Sequence, residues 1–291
     1  MTPAAREFVL TVSCPDAKGI VYAVSGVLFQ GGCNIIDSQQ FGDPASGLFF
    51  LRVHFDAPEH LATVDRLQML FESTRAKFGM TARFYDLSTR PRLLLLVSRH
   101  GHCLNDLLFR WKSGLLPVDV VGVASNHDAL QALSENYGLA FHHLPLLAGA
   151  PDHERRAQEE RIYDIVSTQR VDLVVLARYM QILSPTLCER LRGRAINIHH
   201  SFLPSFKGSQ PYRQAFERGV KLIGATAHYV SENLDDGPII EQEVERVDHT
   251  HNPDELAAVG RDVECVALAR AVRWHCEHRI LLNGAKTVVF R

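Results

Sequence analysis

Residues 93–97, Leu-Leu-Leu-Leu-Val, are apolar at every position. A strand with that pattern has no polar face to turn to water, so both faces must be covered, as in a parallel sheet flanked by helices. A helical spacing follows through Leu104, Leu107, Leu108 and Trp111. Next come a strand over 118–124, a helix over about 128–136 closed by Gly138, a short strand over 141–144, a helix over 154–169 and a central strand over 173–176. Strand alternating with helix in this way predicts a doubly wound, mostly parallel α/β domain of Rossmann type. Beyond it, 195–199, 223–230 and 239–247 read as strands, 254–278 as a long helix and 286–290 as a closing strand.

The first third of the chain is patterned differently. Phe8 to Val12 is a strand candidate followed by a turn over 14–19; Ile20, Val24, Val27 and Leu28 keep helical spacing until Gly31-Gly32. Two strands, 34–41 and 48–55, flank the turn 42–47. A second helix, opened by Asp56 and Pro58, carries Leu61, Val64, Leu67 and Phe71, and a last strand spans 80–87. The order βαββαβ is that of a ferredoxin-like unit. The polar, proline-bearing stretch Ser88-Thr89-Arg90-Pro91-Arg92 falls between the two patterns. It sets the expected organisation: an N-terminal domain over 1–88, a linker over 89–92 and a second domain over 93–291.

With 291 residues, 46% hydrophobic and 22% charged, the chain has material for two ordinary cores. A formal net charge of −2 without a Lys/Arg run gives no electrostatic footprint for nucleic acid. No apolar run approaches the roughly 18 residues of a membrane span. The six scattered cysteines include no C-x-x-C pair, and the N-terminus lacks an apolar targeting core. The expectation is a cytoplasmic protein with reduced thiols. The first strand–helix turn of the α/β domain, 98–104, is Ser-Arg-His-Gly-His-Cys-Leu, neither G-x-G-x-x-G nor a P-loop, so a nucleotide lacks its phosphate cradle.

Polar groups collect where the strands end. Asn197 and His199 alternate along an extended segment, so their side chains leave the same face. His228 sits in the strand that leads to Leu234-Asp235-Asp236-Gly237-Pro238. An amide, an imidazole and a carboxylate together can hold an oxyanion and move a proton. Fifteen histidines also raise a metal reading, with His199, His228 and Asp235 as a composite site. Against it, H-E-x-x-H is absent, and each His-His doublet on a strand can turn only one ring inward.

The combination of Asn197-x-His199, Ser201-x-Leu203-Pro204, 224–228 Gly-Ala-Thr-Ala-His and Leu234-Asp235-x-Gly237-Pro238 resembles the folate-dependent formyltransferases. The longer wording of 199–208, His-His-Ser-Phe-Leu-Pro-Ser-Phe-Lys-Gly, is similar to one branch of them, the formyltetrahydrofolate deformylases, and 10–41 resembles that branch's ACT domain. The resemblance implies hydrolysis of 10-formyltetrahydrofolate to tetrahydrofolate and formate, in one-carbon and purine metabolism. Folate is then the substrate, and neither a metal nor another cofactor is required. It implies Asp235, His199 and Asn197 as catalytic residues: the amide and a protonated imidazole stabilise the oxyanion, and the carboxylate holds the imidazole and positions water. Met180, Gln181, Ile182, Leu183 and His228 are the implied substrate contacts, the loop 180–183 cradling the pterin. It further implies a homo-oligomer and an amino-acid effector near Asp16, Gly19, Asn34 and Ile35, although Ala17-Lys18 stands where similar domains have Arg-Pro. The turn at 98–104 disfavours a phosphorylated acceptor, since transferases acting on a phosphoribosyl amine have a Gly/Ser-rich turn there. Transfer to an unphosphorylated amine and metal-dependent amide hydrolysis remain the alternatives.

Overall fold

A computed structural model describes residues 6–147, 149–203 and 211–291, which divide into two units, one within 91–276 and the other formed by 6–90 with 277–291. In the first third of the chain, β1 (Arg6–Pro15), α1 (Ile20–Gln30), β2 (Asn34–Asp43), β3 (Leu48–Ala57), α2 (Val64–Phe78) and β4 (Thr81–Asp86) form the expected ferredoxin-like unit. Its antiparallel sheet has the order β2-β3-β1-β4. Alternate residues Phe8, Leu10 and Val12 of β1 and Leu51, Val53 and Phe55 of β3 pack against Ile20, Val24 and Leu28 of α1 and Leu67 and Phe71 of α2. The second helix starts later than its sequence suggests. Glu59–Leu61 is a separate 3-10 turn, and the Thr63 hydroxyl caps α2 by accepting from the Arg66 amide at 3.4 Å.

The expectation that 93–291 forms one domain needs correction at its end. Residues 280–289 fold as a hairpin of β12 (Ile280–Asn283) and β13 (Lys286–Val289), grouped with the N-terminal unit. The physical reason is the far face of the β1–β3 sheet, where Phe50 is wholly buried against Leu281 and Phe290. Buried Arg52 donates to the carbonyls of His278 and Glu277 at 3.2 and 3.1 Å and to Asp37 at 3.2 Å. The segment 286–290 is therefore a strand, as its pattern predicts, but it closes a different sheet.

The second unit comprises β5 (Arg92–Val97), α3 (His102–Lys112), β6 (Asp119–Ser125), α4 (Gln131–Asn136), β7 (Phe141–His143), α5 (Asp152–Thr168), β8 (Leu173–Leu176), α6 (Pro185–Arg190), β9 (Ala195–His199), α7 (Pro211–Glu217), β10 (Leu222–Tyr229), β11 (Ile239–Arg246) and α8 (Pro253–Cys276). Its seven strands lie in the order β11-β10-β9-β8-β5-β6-β7, parallel from β9 to β7 and antiparallel at β10 and β11. Leu93 to Val97 are all buried, as an apolar run in a sheet covered on both faces must be. The chain runs outward from β5 to β7, then crosses back to β8 and β9. That reversal between β5 and β8 opens a crevice at the carboxyl ends of the strands. Among the described residues, no helix is long and apolar enough to cross a membrane.

Candidate active site

Antiparallel pairing of β9 with β10 sets Asn197 directly opposite His228, and His199 opposite Thr226. The pairing brings the Asn197 amide nitrogen to 3.3 Å from His228 Nε2. His228 Nδ1 lies 2.9 Å from the carbonyl oxygen of Tyr229, which can only accept, so Nδ1 carries the hydrogen. A bulge between Ala227 and His228, where β10 meets β11, re-aims this end of the strand. The loop after β10 then returns, with the Tyr229 amide donating to the Pro238 carbonyl at 2.9 Å. Gly237 makes this return possible: a Cβ there would lie 1.7 Å from the Tyr229 carbonyl oxygen.

The returning loop delivers Asp235. One carboxylate oxygen lies 3.1 Å from His199 Nδ1, the other 3.7 Å from His228 Nε2. Asp235 has φ 54°, a left-handed conformation that Asp tolerates better than most residues. Burial works against its charge, but His199, bonded to it through Nδ1, and the nearby His228 imidazole outweigh it and hold the carboxyl far below the usual carboxylate range. His199 is 6% exposed, and its Nε2 is buried without a hydrogen-bond partner. The neighbouring His200 is held neutral: burial, with the Arg178 guanidinium nearby, pushes its pKa down to about 4.

These groups open on a cavity of about 560 Å³. Asn197, His199, His228 and Asp235 line it, and so do Met180, Gln181, Ile182 and Leu183, so the expected catalytic and substrate candidates share one site. The 180–183 loop is anchored from both ends. The buried Ser98 hydroxyl accepts from the Met180 amide at 2.9 Å, and the Glu159 carboxylate accepts from the Ser184 amide at 2.6 Å. Met180 and Ile182 remain 54% and 70% exposed, and Leu234 61%, which leaves apolar surface for a flat ring. His228, expected from the sequence as a substrate contact, is 2% exposed, with Asn197, Tyr229 and Asp235 as its neighbours.

The four effector candidates do not come together within one chain. Asp16 lies by Gly42 and Gly47, whereas Asn34 donates to Asp56 at the other end of the ten-residue β2. The eleven-residue α1 separates Gly19 from Ile35 in the same way. The part of the deformylase wording that falls in 204–210 lies outside the described residues.

Sequence reading missed Glu264, Tyr212, Arg178 and His102, which also line the cavity. Glu264 is 1% exposed. Its signal was available: Gly260, Glu264, Ala267 and Ala271 follow the buried stripe of α8, and a carboxylate on such a stripe must have partners. His102, Cys103 and Glu264 form the one group of three potential metal ligands within 4.8 Å among the described residues. The set suits a cation poorly. Arg178 Nε already stands 3.4 Å from the Glu264 carboxylate, and a hydrogen bond with Cys265, then burial, keeps the Cys103 thiol protonated. His199, His228 and Asp235 do not converge in this way, since the two imidazoles address different carboxylate oxygens.

Residues 91–272 match the formyl transferase family model. A formyltetrahydrofolate deformylase of Corynebacterium sp. is 50% identical over 283 residues, 97% of this chain and 98% of the relative. The crystal structure of a formyltetrahydrofolate deformylase from Burkholderia mallei superposes with a TM-score of 0.92 at 51% identity, covering 98% of this chain and all of that one. A glycinamide ribonucleotide transformylase from Symbiobacterium toebii matches 69% of this chain and 95% of its own, with a TM-score of 0.65 at 29% identity. Identity of this order, over nearly the whole length of both chains, makes the chain a member of the formyltetrahydrofolate deformylase family.

Proposed function

We propose that the chain hydrolyses 10-formyltetrahydrofolate to tetrahydrofolate and formate. The observation that carries this reading is the buried, unpartnered Nε2 of His199, backed at Nδ1 by the Asp235 carboxylate 3.1 Å away. With Nδ1–H donating to the carboxylate, Nε2 presents a lone pair to the cavity. It takes a proton from water as the water oxygen bonds to the formyl carbon, and the carbonyl electron pair moves onto oxygen. One Asn197 amide hydrogen faces His228, which leaves the second to donate to that oxyanion. The carboxylate stabilises the imidazolium so formed. The imidazolium then returns the proton to the folate nitrogen as the carbon–nitrogen bond breaks. Formic acid and tetrahydrofolate result, the former losing its proton to solvent.

This reading moves the emphasis of the sequence expectation. Asp235 has one oxygen engaged by His199 Nδ1 and a strongly lowered pKa, so it is a poor base for water. His199 takes the proton-transfer role in both directions. Met180, Gln181, Ile182 and Leu183 hold the pterin, with the loop bearing Leu234 as the other jaw. The test is formate release from 10-formyltetrahydrofolate with no amine present. Loss of a labelled formyl group only on addition of an amine, with the label recovered on that amine and not as formate, makes the chain a transferase instead.

The finer reading of the N-terminal unit is a homo-oligomerisation module with an amino-acid effector. Tyr22 and Phe29 on α1, Ile36 on β2 and Met69 on α2 are exposed apolar side chains suited to a second copy. The separation of Asp16 and Gly19 from Asn34 and Ile35 is compatible with a shared site only if two chains contribute to it. Sedimentation of the purified chain, with and without each amino acid, tests both points.

A further inference from the structure

Part of the cavity wall is unused in that mechanism. Glu264 is its hub. One carboxylate oxygen accepts from the Tyr212 hydroxyl at 2.8 Å; the other lies 2.7 Å from His102 Nε2 and 3.4 Å from Arg178 Nε. A buried carboxylate is costly unless held from several sides. Here burial is offset by His102, Arg178 and Tyr212, and the carboxyl sits below its usual range. Four residues before Glu264, on the same face of α8, is Gly260. A Cβ at that position would fall 2.1 Å from the Tyr212 hydroxyl oxygen and 2.2 Å from its ring carbon Cζ. The phenol therefore occupies the space that any side chain at 260 would fill. The Tyr212 ring lies 6.4 Å from the ring of His200, which lies 5.0 Å from that of His199, so this wall stands beside the reacting end of the cavity.

We propose that Tyr212, seated over Gly260 and tethered to Glu264, is the specificity-determining residue that excludes amines from the formyl carbon and leaves water as the acceptor. The inference rests on the hydrolytic reading above and deepens it. An amine is a stronger nucleophile than water, and one held about 3–3.5 Å from the carbon would win. Unlike water, it brings a substituent that needs room beside the reacting atoms. A tethered phenol takes that room without touching the formyl group. Glu264, with His102 and Arg178, is a positioning group: it fixes where the phenol stands. Without the wall, an amine nitrogen bonds to the formyl carbon, the bond to the folate nitrogen breaks, and the proton lost by the amine goes to that nitrogen.

The experiment gives the full-length enzyme 10-formyltetrahydrofolate labelled in the formyl carbon, with rising methoxyamine, and partitions label between formate and formyl-methoxyamine. Wild type is expected to yield formate at every concentration. Tyr212→Ala is expected to raise the share of label on the amine by at least about tenfold, the scale on which pocket shape discriminates acceptors. Glu264→Gln, isosteric and with the ring retained, should raise it less, and Tyr212→Phe less still. Should Tyr212→Ala lose its fold by circular dichroism, Glu264→Gln decides. A wild-type partition in the folded variants overturns the inference while hydrolysis stands. Label on the amine with the wild-type enzyme overturns the hydrolytic reading itself.

Discussion

At the scale of single residues, Asp235 is the group on which the geometry turns. Its φ of 54° makes Asn the informative replacement, because Asn also tolerates the left-handed region whereas Ala would add backbone strain. Asp235→Asn keeps the shape but removes the charge behind His199, and an amide there can also present a donor to Nδ1 and favour the wrong tautomer. The expected loss in kcat is about 10³–10⁴-fold, by analogy with the same change in a Ser-His-Asp triad, with folate binding altered only a few-fold. Steady-state rates and folate titration check it; near wild-type kcat removes Asp235 from the mechanism. Asn197→Ala should cost about 10²–10³-fold, the usual effect of losing one oxyanion donor. Because the Asp235 carboxyl is held far below its usual range, it stays ionised through the acid region. The acid limb of kcat, read from a pH–rate profile, should therefore not follow the titration of this carboxyl.

At the scale of elements, the legible parts are those whose periodicity carries the signal. The apolar runs of β5 and β8, the alternation in β9 and the stripes of α1 and α8 all appear where the residues point to them. Three short elements did not announce themselves: α6, α7 and β12. The Ser184-Pro185 pair that opens α6 is an ordinary cap followed by Pro at the first helical position, overshadowed by the adjoining loop reading of 180–183. Of the site, Asn197, His199 and Asp235 were readable because strand ends and a Gly/Pro turn expose them. The partners of Glu264 were not, since His102 reaches it from α3, Arg178 from the loop after β8 and Tyr212 from α7. Gly237 belongs to this scale, because its missing side chain lets a whole loop dock on β10. Gly237→Ala would set a Cβ 1.7 Å from the Tyr229 carbonyl oxygen, so the loop must lift and carry Asp235 away from His199. The expected result is a loss of kcat approaching that of Asp235→Asn with a folded protein. An unchanged kcat would show that the docking is not needed to place the carboxylate.

At the scale of the whole molecule, protons and the C-terminal hairpin give separate tests. Histidines in an unfolded chain take protons near pH 6.5. His200 and His275 in the folded protein, both depressed chiefly by burial, take theirs only near about 4. The contribution of these two groups is thus fully present above about pH 6.5 and is lost as pH falls towards 4, where the unfolded state binds more protons. The thermal midpoint should drop across that window, and His275→Gln should flatten the slope; a midpoint constant from pH 7 to 4.5 contradicts this. The hairpin makes the firmer prediction. Residues 277–291 cover Phe50 and accept from two of the guanidinium nitrogens of Arg52, itself 4% exposed. Removing them strips a wholly buried aromatic and leaves a cation with Asp37 as its one remaining partner among those described. Breaking a buried charge interaction from one side typically costs about 3–5 kcal/mol. A chain ending at Cys276 should therefore lose the N-terminal unit first. Hydrogen exchange should rise in β1 and β3 before it rises in β5 and β8. Replacing Arg52 with Met should recover part of the loss, because an apolar side chain of similar length leaves no buried charge. If exchange instead rises first in β10, β11 and α8, the hairpin supports the α/β unit, as the sequence alone had suggested.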